Sequence, residues 1–333
     1  MNEGRTLPQS LVALMKLRVV VLLQITAVCA IVTHDLLLRH GALGDLPSRS
    51  WLDTGRAVVL TVVAGTLSAG GSNAINMWYD ADIDPHMART ARRPVPAGDV
   101  SATTALLFGL VIATLGSGLF LFAHWKAAMW SAFSVLFYVL VYTIALKRRT
   151  PQNIVIGGIA GSTPPLIGWA VAASTTGALD VGGVLSLGSA VPWMLFLLIF
   201  LWTPPHFWAL ALYRSGEYGK VGVPMMPDVH GPQRTVFESK VYCVLLLLLG
   251  VVPVMWPSSG LSMAWVMVST ALSLRYARTV WKIDLDEPLD DEGRMPTARA
   301  SFFASLRYLA WMFMAMVVFA AVPPSWLGPL GPL

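Results

Sequence analysis

Apolar runs recur along the chain, separated by short polar stretches. At roughly 17–20 apolar residues per membrane crossing, the pattern predicts nine spans. They cover 17–32, 57–78, 103–122, 127–146, 153–173, 191–213, 241–256, 261–280 and 302–322. Pro253 is placed to kink or stop the seventh span. Pro164-Pro165 and Pro204-Pro205 are expected to break the fifth and sixth, where only protein or a cavity can satisfy the freed backbone groups. The expected fold is therefore all-α: a polytopic membrane protein forming one domain over residues 1–333. Spans two and six each lead into a loop carrying acid, then base, then proline. Their separation by four spans points to a duplicated four-helix unit, about 10–148 and 150–282, with a ninth helix added.

Composition supports this reading. The 333 residues are 56% hydrophobic and only 12% charged, which excludes an ordinary soluble globular protein. The net charge of +5 calls for no nucleic acid, because the basic residues are spread over short loops. With the N-terminus inside, only Arg39, Arg49, Arg56 and Lys126 of the 23 lysines and arginines fall on the outer side. That asymmetry places the N-terminus in the cytoplasm and the C-terminus in the periplasm. The N-terminal segment lacks a small-residue cleavage site and a long Arg/Ser-rich stretch, so it reads as a retained first span in a bacterial plasma membrane. Cys29 and Cys243 lie within apolar runs and read as buried thiols. The run Asp284, Asp286, Glu287, Asp290, Asp291, Glu292 lacks ligand spacing and reads as a solvated loop. Trp125, Trp130, Trp193 and Trp256 sit near span ends and read as interfacial anchors.

The chemistry concentrates in residues 73–96, NAINMWYDADIDPHMARTARRPVP. Asn76, Asp80 and Asp84 recur every four residues and share one helical face, with Asp82 off it. Pro85 disfavours helix at Asp84, so the carboxylates crowd the negative end of a helix dipole. Neutralisation by a cation relieves that repulsion, and hard oxygen ligands suit Mg²⁺ shared with substrate phosphates. Arg89, Arg92 and Arg93 follow within nine residues of Asp84 and are fit to grip phosphate oxygens. Acid then base beside a span reads as a metal–diphosphate site; the alternative is a solvated positive-inside loop.

This stretch resembles the first aspartate motif of the UbiA-type intramembrane prenyltransferases. Further segments narrow the resemblance to the haem branch, the protohaem IX farnesyltransferases. These are KLRVVVLLQITA at 16–27, TPQNIVIGGIAGSTPPLIGWA at 150–170, LWTPPHFWALALYRSGEYGKVGVPMMP at 201–227 and ARASFFASLRYLAWMF at 298–313. The resemblance implies nine helices around a central cavity open to the inner face. It also implies farnesyl diphosphate and haem B as substrates, Mg²⁺ as metal and haem O as product, with haem A synthase as a downstream enzyme. It assigns Mg²⁺ to Asn76, Asp80 and Asp84, and lets Arg89, Arg92, Arg93, Lys147 and Lys220 share the diphosphate charge. Trp202, Phe207 and Trp208 are candidates to line the cavity, with packing as the alternative.

The second motif departs from the superfamily's Asp-x-x-x-Asp array. It reads Arg214-Ser-Gly-Glu217-Tyr218-Gly-Lys220, with Glu217 the lone candidate for a second metal. Arg214 and Tyr218 are further candidates for substrate contact. His206 follows the proline pair and is a candidate to meet haem iron, with a packing role as the alternative; His86 and His230 are weaker candidates. Two other functions stay open at this stage: prenylation of another acceptor, and a cation-coupled transporter with Asp80 and Asp84 as its transport site.

Overall fold

A computed structural model describes residues 5–87, 90–180, 182–214, 222–255, 261–291 and 293–322, and all the regular structure among them is helical. Eleven helices follow one another: α1 (Leu7–Leu14), α2 (Leu17–Arg39), α3 (Trp51–Tyr79), α4 (Ala102–Leu119), α5 (Trp125–Leu136), α6 (Asn153–Ser162), α7 (Pro164–Ala173), α8 (Val191–Tyr213), α9 (Met226–Met255), α10 (Met263–Trp281) and α11 (Pro296–Ala321). Hydrogen bonds between distant segments sort the loops onto two ends. At one end Lys16 donates to Asn76, Asn153 to the Pro224 carbonyl and Arg294 to Tyr213. At the other, Arg49 donates to Thr175, Lys126 to the Leu179 carbonyl, and His40 bonds the Ala321 carbonyl. The first is called the acid–base end below, because it carries Asp80.

Among the described residues, eight helical stretches are long and apolar enough to cross a membrane. The expected span at 261–280 is present as the 19-residue α10, but Arg275 and Arg278 in its last two turns keep it out of that set. Helix α2 runs to Arg39, well past the expected end at 32, because its buried polar residues are satisfied. Asp35 takes contacts from His34 Nδ1 (2.7 Å), Arg49 Nε (3.0 Å) and Thr54 Oγ1 (2.7 Å). Ser50 starts α3 six residues early through a capping box: its Oγ accepts from Asp53 N, and Asp53 accepts from Ser50 N. Helix α9 also begins early, at Met226, with a kink at Gly231 (φ 82°) that glycine alone adopts cheaply.

The proline pairs behave differently from each other. The fifth span breaks at Thr163 into α6 and α7, as expected, and hydroxyls supply the missing hydrogen bonds. The Ala160 carbonyl accepts from both Thr163 Oγ1 and Ser134 Oγ. The expected break in the sixth span is corrected: α8 is continuous through Pro204 and Pro205. The prolines remove donors for two carbonyls only, and packing against α6, α7, α9 and α11 holds the helix in line. Trp130 is also corrected from an interfacial anchor to a buried residue, packed edge-on against Trp193 and Phe133. Trp125 is exposed, and Trp256 lies outside the described residues. Cys29 and Cys243 are free thiols, the second fully buried.

Helices α3 and α4 approach closely along a seam of small residues. A Cβ added at Gly116 would lie 2.3 Å from the Ser68 amide nitrogen, whereas one added at Gly118 meets nothing within 4 Å. Gly116→Ala is therefore expected to lower the Tm of the detergent-solubilised protein through overpacking of roughly 1–3 kcal/mol. Gly118→Ala should leave the Tm unchanged or raise it slightly. Equal melting of the two variants would contradict the seam.

Candidate active site

Three local features converge at the acid–base end. The first is the exit of α3. Asp80 N bonds the Asn76 carbonyl and Asp84 N bonds the Asp80 carbonyl (3.0 and 2.9 Å). The four-residue stacking of the motif therefore survives the helix end, and a short 3₁₀ turn, Asp84–His86, follows. The second is the last part of the fourth span, Phe137–Leu146, which is π-helical. Its wider turn bonds Lys147 N to the Tyr142 carbonyl and aims Lys147 at Asp80. The third is the junction of α1 and α2, where Lys16 is left-handed at φ 51°, unique among the described non-glycine residues. Such strain of order 1–2 kcal/mol persists only where the surroundings hold it. Asn73 does so by donating to the Met15 carbonyl at 3.0 Å.

The result is a set of buried acids ringed by cations. Asp80 and Asp84 are 0% and 2% exposed. Asn76 Nδ2 donates to Asp80 Oδ2 (3.0 Å) and to Thr143 Oγ1 (3.3 Å), while its Oδ1 accepts from Lys16 Nζ (2.9 Å). Lys147 Nζ pairs with Asp80 Oδ2, and Arg93 grips Asp84 with contacts of 2.8 and 2.7 Å. Arg148 forks onto Asp82 at 2.7 Å to each oxygen and comes within 3.6 Å of Asp80 Oδ1. Four cations thus face three carboxylates. Asp82 is off the shared face as expected, with 62% of its side chain exposed; its hydrogen bond from Arg148 lowers its pKa and raises that of Arg148. Burial, followed by the charges of Arg93 and Lys147, brings the Lys16 ammonium down to about 7.

These residues fit a hard divalent cation. Asp80 Oδ1 is buried and accepts no hydrogen bond among the described residues, with Arg148 no nearer than 3.6 Å, so it is an anionic oxygen that lacks a donor. No group of three or more His, Cys, Asp and Glu side chains gathers among the described residues. Two carboxylates and an amide leave further coordination to substrate oxygens, which is how Mg²⁺ is ordinarily held.

The structure brings together Asn76, Asp80, Asp84, Arg93 and Lys147. It adds Lys16, Thr143 and Arg148, which sequence reasoning had counted as loop charges or as part of an apolar run. Arg92 is exposed, and its carbonyl accepts from Arg5. Arg214 lies beside Tyr213 at the end of α8, its guanidinium 5.9 Å from the ring. Trp208 is fully buried against Tyr242 of α9. His206 sits between α8 and α11, bonded to Ser305. Arg89, Glu217, Tyr218 and Lys220 lie outside the described residues.

Membrane-length helices with buried, cation-ringed carboxylates at one end are what the resemblance to the intramembrane prenyltransferases implied. The chain belongs to the UbiA prenyltransferase family, whose model matches residues 26–307. It is 43% identical over 276 residues to the protoheme IX farnesyltransferase of Rhizobium meliloti (strain 1021), covering 82% of this chain and 81% of that one. It is 39% identical over 315 residues to that of Bartonella tribocorum, covering 92% and 89%. Solved structures share the fold. A digeranylgeranylglyceryl phosphate synthase superposes with TM-score 0.70 at 17% identity, over 94% of this chain and 98% of that one. A UbiA homolog from Archaeoglobus fulgidus bound to DMAPP and Mg²⁺ gives 0.57 at 16% identity, over 93% and 99%.

Proposed function

We propose that the protein transfers the farnesyl group of farnesyl diphosphate to a vinyl substituent of haem B, releasing diphosphate and giving haem O. The observation that carries this reading is the ring of Lys16, Arg93, Lys147 and Arg148 around Asn76, Asp80 and Asp84, in a chain so similar to protoheme IX farnesyltransferases.

In the reaction the C1–oxygen bond of farnesyl diphosphate breaks and its electron pair leaves with the diphosphate. The vinyl π electrons form the new bond to C1, and a water molecule adds to the resulting cation and loses a proton, giving the hydroxyethyl carbon of the product. Asn76, Asp80 and Asp84 would hold Mg²⁺, which would supply neutralisation of the leaving group's charge. Lys147 and Arg93 are placed to exchange part of their carboxylate contacts for diphosphate oxygens, as preorganised donors to developing charge. An arriving diphosphate favours the charged form of Lys16, strengthening its grip as substrate binds.

The reading extends to cellular placement. The charge split supports placing the acid–base end at the cytoplasmic face of a bacterial inner membrane, and haem A synthase is the enzyme proposed to consume the product. A reporter active only in the cytoplasm, fused after Leu333, should stay silent; activity there would reverse the orientation. The function is tested by incubating purified protein with haem B, farnesyl diphosphate and Mg²⁺ and weighing the extracted haem. Haem O is expected. Consumption of farnesyl diphosphate only with a different acceptor, such as an aromatic acid, would overturn the assignment.

A further inference from the structure

His206 lies seven residues before the end of α8, about 10 Å along the axis from the acid–base end. Its ring is clamped on both faces, stacked on Trp202 at 4.2 Å and 18° and on Phe302 at 4.8 Å and 23°. The clamp joins α8 to α11, and Trp202 Nε1 reinforces it by donating to the Ser305 carbonyl at 2.8 Å. The ring plane is therefore fixed.

The hydrogen bonds fix the tautomer as well. Ser305 Oγ lies 2.6 Å from the Phe302 carbonyl oxygen and 2.6 Å from His206 Nδ1. Two oxygens at that distance need a proton between them, and the single hydroxyl proton of Ser305 is the one available. Ser305 thus donates to the Phe302 carbonyl and has only a lone pair to offer His206. Nδ1 must carry hydrogen, which leaves the Nε2 lone pair bare. A histidine buried only for packing would be expected to bond both nitrogens. Here Nε2 takes no hydrogen bond from the described residues, in a residue that keeps 7% of its surface exposed.

We infer that His206 is an axial ligand of haem iron through Nε2, and that Ser305 is the positioning residue that holds its tautomer and ring. A hydrogen bond on the far nitrogen of a clamped imidazole is the arrangement that metal-binding histidines use to orient the ring and raise its basicity. The inference rests on haem B being the acceptor and names the protein atom that seats it.

The test is resonance Raman spectroscopy of the ferrous haem B complex of the full-length protein. An iron–histidine stretching band is expected in the wild type. His206→Gly should lose the band and bind haem B about 10–100-fold more weakly, and added imidazole should restore the band. Ser305→Ala should keep the band at lower frequency, because Nδ1–H loses its acceptor, with about tenfold weaker binding. Mg²⁺-dependent binding of farnesyl diphosphate shows that each variant is folded. An unchanged band in His206→Gly, or an unmoved one in Ser305→Ala, overturns the inference even if haem O is made. A band that behaves as expected in a protein making no haem O upholds the ligand and overturns the proposed function. Wild type that binds no haem overturns both.

Discussion

Asp80→Asn is expected to lower farnesyl transfer about 10³-fold while leaving the protein folded. Asp80 is fully buried, shares Asn76 and Lys147 on one oxygen, and holds its other oxygen free of hydrogen bonds. Converting it to an amide removes a hard anionic ligand at the centre of the ring. Loss of a charge-stabilising group in a preorganised site costs about 2.7–4 kcal/mol, or 10²–10³-fold, and a weakened metal site adds to that. Asp84→Asn should behave similarly, since Arg93 and its backbone turn bind it to the same array. Asp82→Asn is the control: its exposed pair with Arg148 contributes at most about 1 kcal/mol. Steady-state rates at saturating Mg²⁺ decide the matter. A near wild-type rate for Asp80→Asn would remove it from the reaction centre.

Lys147→Ala should have the next largest effect, a fall in kcat/KM for farnesyl diphosphate of about 10²–10³-fold. Lys147 reaches Asp80 only because the π-helical turn rotates it there. Its ammonium is the cation best placed to follow charge from the carboxylate to the departing diphosphate. Lys147→Arg should recover part of the rate, because charge is kept and position is not. Haem B binding should be unaffected in both variants. If Lys147→Ala changed haem affinity as much as the dependence on farnesyl diphosphate, the residue would be supporting the fold rather than the leaving group.

The spans were legible because lipid demands long apolar runs whatever the packing. The exception, α10, carries Arg275 and Arg278, and its apolar stretch is correspondingly shorter. The Asn76–Asp80–Asp84 face was legible because a spacing of four needs only local helix geometry. What the sequence concealed depended on long-range contacts. The run Phe137–Leu146 is too uniformly apolar to mark a π turn, so Arg148 looked like a loop charge and Lys147 was a candidate only through the family resemblance. Lys16 occupies a left-handed position where glycine or asparagine would be the usual signal, and only its bond to Asn76 shows its role. The proline pair in α8 suggested a break because local rules cannot see α11 bracing the helix through Trp202 and Ser305.

The central claim is that Asn76, Asp80 and Asp84, with their ring of cations, hold the diphosphate. Isothermal titration of farnesyl diphosphate into the purified protein, with and without Mg²⁺, tests it most directly. Binding should require Mg²⁺ in the wild type and in Asp82→Asn, and should be lost in Asp80→Asn and Asp84→Asn. Mg²⁺-dependent binding of undiminished affinity in both Asp80→Asn and Asp84→Asn would contradict the claim.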